Sequence, residues 1–268
     1  MIGEGYGLGV VRNAFLATLT PSDFERLRPY LSSFELQRHA IIHEANKVVD
    51  TVYFIESGGV SRVARTKADA PIEVAMVGRF GFVGLSVVVG TMVAPHRTIV
   101  RLPGRALRIS AVDLRAAMSD HPTIRNHLLN YVYLLFNQQA QLTLCNAKHE
   151  LDQRLARWLL LAHDRVVGNP IPVTHDLLAT ILGVWRPGVS EALSLFERTG
   201  ILERARGTVR ILDRQALARR ACECHKIIDD GFGWLSAMQR HEHRLKPESS
   251  RSPSRIAART DHSDLPKS

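Results

Sequence analysis

Cysteine is scarce in this chain: Cys145, Cys222 and Cys224 are the three among 268 residues. Three thiols cannot staple a small secreted scaffold, and such a count suits a reducing compartment. A membrane span is missing too. The longest apolar stretch, Val83 to Ala94, is broken by Gly, Ser and Thr and is too short to cross a bilayer as a helix. The start lacks a basic segment followed by an apolar core, so no secretory signal is expected and the cytoplasm is the expected location. Enzyme signatures are absent as well. Gly3-Glu4-Gly5-Tyr6-Gly7 is rich in glycine but follows no predicted strand, which a phosphate-cradling loop requires. No nucleophile–base arrangement and no zinc-protease spacing occur. Acidic residues are outnumbered, 26 against 35 Lys and Arg, giving a net charge of +9. Excess positive charge favours a polyanionic partner, nucleic acid or an acidic membrane surface, without choosing between them.

What is present divides into three kinds of pattern. The hydrophobic fraction of 45% supports a real core, and the length suits one or two domains. Near the start, Ser22 and Glu25 have capping-box spacing behind Pro21, which predicts a short helix ending near Pro29. From about Phe34 to Ile109, β-branched and aromatic segments recur: Val48–Ile55, Val60–Arg65, Ile72–Val77, Thr98–Leu102 and Ala106–Ile109. Breaks at Ser57-Gly58-Gly59, Lys67–Pro71, Gly78–Gly84, Gly90–Pro95 and Pro103-Gly104 separate them, a spacing that predicts an antiparallel roll or jelly roll.

After Asp120-His121-Pro122 the period becomes helical. Ile124, Leu128, Tyr131, Leu135, Gln138, Leu142 and Cys145 form a heptad seam with Gln138 as a polar member. Leu129, Val132 and Phe136 make a second apolar row beside it. A helix of about 25 residues with two apolar faces has more surface than one small roll can cover. The expectation is that one face packs on the roll and the seam on a second copy of the chain. Glu150 to Val167 reads as another amphipathic helix, stopped by Gly168-Asn169-Pro170. From about Gln239 the composition is that of a disordered tail.

The most specific signal lies between Val173 and Asp213. Thr174 is a candidate N-cap, Asp176 to Leu182 a short helix and Arg186 to Thr199 a second one. Ala179 lets the helices cross closely, Gly183 permits the sharp turn, and Val189 locks the second helix on the first. Gly200 closes that helix. Ile201 to Leu212 reads as two strands around a turn at Arg206-Gly207. Helix, turn, helix and basic hairpin in this order define a winged helix-turn-helix, whose second helix fits the major groove. Arg186 and Ser190, one turn apart at its start, are the base-reading candidates, since Arg can grip guanine O6 and N7 together. Glu191 would accept from cytosine or orient an Arg, and Trp185 stands beside them. Thr174, His175, Arg204 and Arg206 are phosphate candidates.

These residues resemble the Crp–Fnr family of transcription regulators. VTHDLLATILGVWRPGVSEALSLFERTGIL carries the strongest likeness, VYFIESGGVSRV with EVAMVGRFGFVGL the next, and ELDQRLARWLLLAHDR with ACECH the third. The resemblance runs from roughly Phe24 to Ile228. It implies an α+β chain: a cyclic-nucleotide-binding-type β-roll sensor over 13–120, a dimerisation helix over 121–147 and a winged helix-turn-helix over 148–228, with a tail over 239–268. The function implied is a homodimeric, sequence-specific DNA-binding regulator, active on double-stranded DNA, controlled through the roll by an unidentified signal, and meeting RNA polymerase if it is an activator. The competing reading is a sensor module that binds a ligand or protein without touching DNA.

Departures from the family pattern narrow the expected cofactors. Cyclic-nucleotide binders carry a Gly-Glu pair whose carboxylate holds the ribose, and the corresponding place here reads Val83-Gly84-Leu85. Arg97-Thr98 aligns with the Arg-Ser or Arg-Thr that holds the cyclic phosphate. Gly84, Leu85, Arg97 and Thr98 are thus the candidate effector pocket, with cyclic nucleotide not the expected ligand; otherwise Arg97 pairs with a surface acid. No cysteine precedes Cys145, which argues against an iron–sulfur cluster, and the twelve histidines have no haem-ligand spacing. Cys222, Cys224 and His225 point in different directions on a predicted helix, so a zinc site would need ligands from elsewhere and no metal is expected. Trp185-Arg186-Pro187 replaces the Arg-Glu with which relatives begin the recognition helix, so the relatives' DNA sequence is not expected here.

Overall fold

The computed structural model describes residues 11–67, 71–166 and 169–231. The glycine-rich start, the Gly168 helix stop and the expected tail lie outside these residues. The chain opens with α1 (Pro21–Leu27), whose N-cap is Thr20, its side chain accepting from Asp23 N. Thr20 therefore replaces the capping box expected at Ser22, because Pro21 occupies the first helical turn and places the cap immediately before itself.

The strands that follow are β1 (Ser32–Leu36), β2 (Ile41–His43), β3 (Lys47–Val48), β4 (Thr51–Ala64), β5 (Ile72–Val77) and β6 (Phe82–Val83). After α2 (Leu85–Val89) come β7 (Val93–Ala94) and β8 (Arg97–Ser110). The main sheet runs β1-β8-β4-β5, with β2 on β8 and β6 on β4, and β3 pairs with β7; every pairing is antiparallel. Two expected turns are not turns. Ser57-Gly58-Gly59 and Pro103-Gly104 lie inside β4 and β8, where the register shifts between Ile55 and Val60. The two glycine bends face each other. A Cβ on Gly58, which has φ +78°, would stand 2.5 Å from the Leu102 carbonyl oxygen, and one on Gly104 would stand 2.2 Å from that of Ser57. Paired glycines thus bend two long strands together into a roll where each alone reads as a break.

Helix α3 (Ala111–Asp120) leads into α4 (Pro122–Lys148), 27 residues beginning on the proline that starts it. Ile124, Leu128, Tyr131, Leu135 and Gln138 are all buried on α4, inside the protomer. They face the roll, where the Tyr131 ring lies 4.6 Å from Phe82 and 5.3 Å from Phe15 between ring centroids. A Cβ on Gly81 would sit 1.7 Å from the Tyr131 hydroxyl, so only glycine admits that ring. Leu142, half-buried, lines a cleft of about 140 Å³ between α4, β5 and the next helix. The expected dimer seam is therefore the intramolecular face. The row expected to meet the roll turns outward: Phe136 is 70% exposed, and Leu129 and Val132 are only partly covered.

Next come α5 (Leu151–His163), α6 (His175–Leu182), α7 (Arg186–Arg198), β9 (Leu202–Ala205), β10 (Thr208–Ile211) and α8 (Arg214–Arg220). A last helical segment covers 224–231. Glu150 caps α5 through a capping box with Gln153, and α5 ends at His163, before the position expected from sequence. Its apolar face joins α6, α7 and the hairpin in a second core around Leu159, Leu178, Val189 and Phe196. The two cores are linked by half-buried Glu73 of β5, accepting from Trp158 Nε1 of α5 at 3.0 Å and from the Ser61 hydroxyl. Burial holds the Glu73 carboxyl above its ordinary range. No helix among the described residues is long and apolar enough to cross a membrane.

Candidate nucleic-acid interface

Local chemistry builds the crossing of α6 and α7. The Thr174 hydroxyl accepts from Leu177 N at 3.2 Å and caps α6. Gly183 ends it at φ 63°, and its N–H and that of Val184 both reach the Ala179 carbonyl. That left-handed residue, costly for any side chain, turns the chain so that buried Val189 locks α7 against α6. Pro187 sits in the first turn of α7, where no intrahelical N–H is lost. Gly207, φ 75°, closes a two-residue turn between β9 and β10.

The amino end of α7 stands in solvent. Trp185 is 87% exposed and Arg186 and Glu191 are exposed. Arg186 Nε is 2.9 Å from Asp176 Oδ1, both side chains well exposed. Such a surface pair is worth little and is easily exchanged for another anion. The Ser190 hydroxyl lies 2.8 Å from His175 Nδ1, so these two candidates form one unit bridging α6 and α7. Desolvation, with Arg204 and Arg186 nearby, holds the His175 imidazole below its ordinary value. Arg206 is exposed at the tip of the hairpin. Arg204 behaves differently from expectation. Its guanidinium binds Glu197 through Nε at 2.8 Å and through Nη2, and donates to Ser194 Oγ at 3.1 Å. It ties the wing to α7 and is committed there, which a strand-edge position two residues from the tip did not reveal.

The roll contains a cavity of about 190 Å³, mostly apolar, lined by Gly84, Leu85 and Thr98 with Val49, Phe82 and Arg62. Arg97 is not among its lining residues. It turns outward to Glu44, Nε to Oε2 2.9 Å, the surface pairing that was the alternative reading of this residue. The cation at the cavity is Arg62, opposite Thr98 in the β4–β8 register. Desolvation lowers its affinity for a proton. Strand alternation around Val60 was the available signal, but the bulge at Gly58 shifts it.

At the far end of α4, Cys145 and His149 meet Cys222 and Cys224, their ligand atoms all within 4.8 Å of one another. Cys222 and Cys224 lie beside two residues one turn apart at the end of a distant helix, the source from elsewhere in the chain that the sequence reading said a metal site would need.

A β-roll, a long helix and a winged helix-turn-helix make up the architecture of the described residues. Residues 153–220 match the Crp-like helix-turn-helix domain. Among solved structures, a CRP-family transcriptional regulator from Thermus thermophilus is 21% identical, with 71% of this chain and 96% of that one covered at a TM-score of 0.59. FixK2 from Bradyrhizobium japonicum is 16% identical, covering 72% and 98%, TM-score 0.58. The c-di-GMP responsive global regulator CLP from Xanthomonas campestris is 18% identical, covering 72% and 99%, TM-score 0.56. No curated protein matches the chain. Residues 153–220 thus carry a Crp-like helix-turn-helix domain, and the chain shares the fold of regulators of the Crp/Fnr type.

Proposed function

We propose that the protein binds DNA as a homodimer, reading sequence with the amino end of α7 and touching phosphates with the wing, under control of a signal received at the roll. The observation that carries this reading is the exposed end of α7, where Arg186 and Trp185 project into solvent on the same domain as Arg206. Dimerisation is supported by a second apolar row on α4: Leu129, Tyr133, Phe136, Ala140 and Leu144 recur in steps of four and three. Tyr133 is 55% exposed and Leu144 48%. A large exposed apolar stripe at this spacing is the surface a parallel or antiparallel helix pair covers.

The signal enters through the roll. Its cavity, about 190 Å³, is smaller than the ~300–1,000 Å³ of ordinary ligand sites. Together with Leu85 in place of a carboxylate, this favours a small, largely apolar effector with one anionic group facing Arg62 over a cyclic nucleotide. Contact between roll and DNA-binding domain through Glu73 and Trp158 offers the route by which occupancy shifts the two α7 helices against successive major grooves.

The test is Arg186→Ala. A bidentate Arg–guanine contact is worth ~1–3 kcal/mol, so affinity for a selected operator should drop roughly 5- to 150-fold with the dimer retained. Unchanged operator affinity would refute base reading by this residue and favour a sensor module that does not use α7 on DNA.

A further inference from the structure

We propose that Cys145, His149, Cys222 and Cys224 form a structural zinc site that fastens the end of the long helix to the C-terminal segment. Cys145 and His149 are one turn apart at the carboxyl end of α4, His149 being its C-cap. Cys222 lies between α8 and the last helical segment, and Cys224 is the first residue of that segment. The four side chains converge from two places remote in sequence. All three thiols are buried and form an apolar cluster of their own.

The four ligand atoms are close enough to surround one tetrahedral ion. Zinc binds thiolate at about 2.3 Å and imidazole at about 2.0–2.1 Å, which sets ligand-to-ligand edges of roughly 3.6–3.8 Å. Cys145 Sγ and Cys222 Sγ are 3.4 Å apart, and Cys224 Sγ is 3.5 Å from His149 Nδ1. The near pairs open slightly and wider ones, within 4.8 Å, draw in to meet those edges. Three cysteines and one histidine in a closed arrangement are a structural donor set, with no position left for water or substrate.

The surroundings suit thiolates. Gln141 Nε2 donates to Cys224 Sγ at 3.0 Å, the kind of outer contact that holds a metal ligand in place. Arg157 and Arg154 of α5 both act electrostatically on Cys145, and the Nε of each is buried with no hydrogen-bond partner among the described residues. Binding would proceed as Zn²⁺ displacing three thiol protons to solvent while neutral His149 supplies its lone pair. The product carries a net single negative charge, which the two arginines offset. No electrons are exchanged.

The site joins the α4–α5 junction to the segment that closes the winged domain, so it sets how that domain hangs from the long helix. A Cys145–Cys222 disulfide is the competing use of the same sulfurs, but it leaves Cys224 and His149 without a part.

Full-length protein purified with reductant and without chelator should contain one zinc per chain by elemental analysis. Cobalt(II) added to metal-free protein should give the intense visible bands of tetrahedral thiolate coordination. His149→Ala should weaken metal retention, and His149→Cys should restore it, because four cysteines also suit tetrahedral zinc. A thiol reagent should find the three cysteines protected until a strong chelator is added. Folded protein that takes up no zinc or cobalt overturns the proposal, as does a chain two hydrogens lighter with Cys145 linked to Cys222. Neither readout depends on DNA, so failure here is separate from failure of the DNA-binding reading.

Discussion

Replacing Phe136 with Ala should dissociate the proposed dimer without unfolding the protomer. The ring is 70% exposed in the single chain. Aromatic side chains bury ~150–250 Å² when fully covered, so the exposed part amounts to roughly 100–175 Å². At about 25 cal/mol per Å², covering it yields about 2.5–4 kcal/mol, of which truncation to Ala forfeits about 2. A two-fold interface uses each residue twice, so the loss is about 4 kcal/mol and the dissociation constant rises roughly a thousandfold. Sedimentation velocity across a concentration series measures this directly. The companion variant is Leu128→Ala, on the buried row. It should cost about 2–5 kcal/mol of stability, read as a lower melting temperature, with little direct effect on association. The assignment of the two faces fails if Phe136→Ala leaves the dimer intact while Leu128→Ala dissociates it without loss of stability.

Two further outcomes follow from the roll. His127 is buried against Phe15, and desolvation lowers its imidazole from 6.5 to about 4. A histidine with a depressed folded-state value contributes stability above the unfolded value and loses it as pH falls, so stability should drop by about 3 kcal/mol between pH 6.5 and 4. His127→Gln should flatten denaturant-derived stability over that window, and an unchanged slope would contradict the assignment. At Gly58, where φ is +78° and a Cβ would meet carbonyls at 2.5 Å, Gly58→Ala should cost more than the ~1–3 kcal/mol of left-handed strain alone. A melting temperature within a degree or so of the parent would show that the bend is not glycine-dependent.

Much of this architecture was legible where local chemistry decides it. Pro122 marks the start of α4, Gly183 and Val189 mark the helix crossing, and Gly207 marks the wing tip; each acts on its own neighbours. The face of α4 was not legible. Periodicity identifies two apolar rows but cannot say which partner each meets, and the decision is made by Phe15, Phe82 and Gly81, far away in sequence. Gly58 and Gly104 misled for the same reason: each reads as a turn until the other is placed opposite it. Arg97 was given a role by alignment with a pocket motif, whereas Glu44 across the strand captures it and Arg62 lines the cavity instead. The cysteine cluster had half a signal, the one-turn spacing of Cys145 and His149, and needed the fold to bring Cys222 and Cys224 to it.

The central claim is that paired α7 helices read duplex DNA. Selection of genomic fragments bound by the purified full-length protein tests it most directly. The expected result is an enriched motif of two inverted half-sites with centres about one helical turn apart. Enrichment of no motif, with retention that vanishes uniformly as salt is raised, would contradict it.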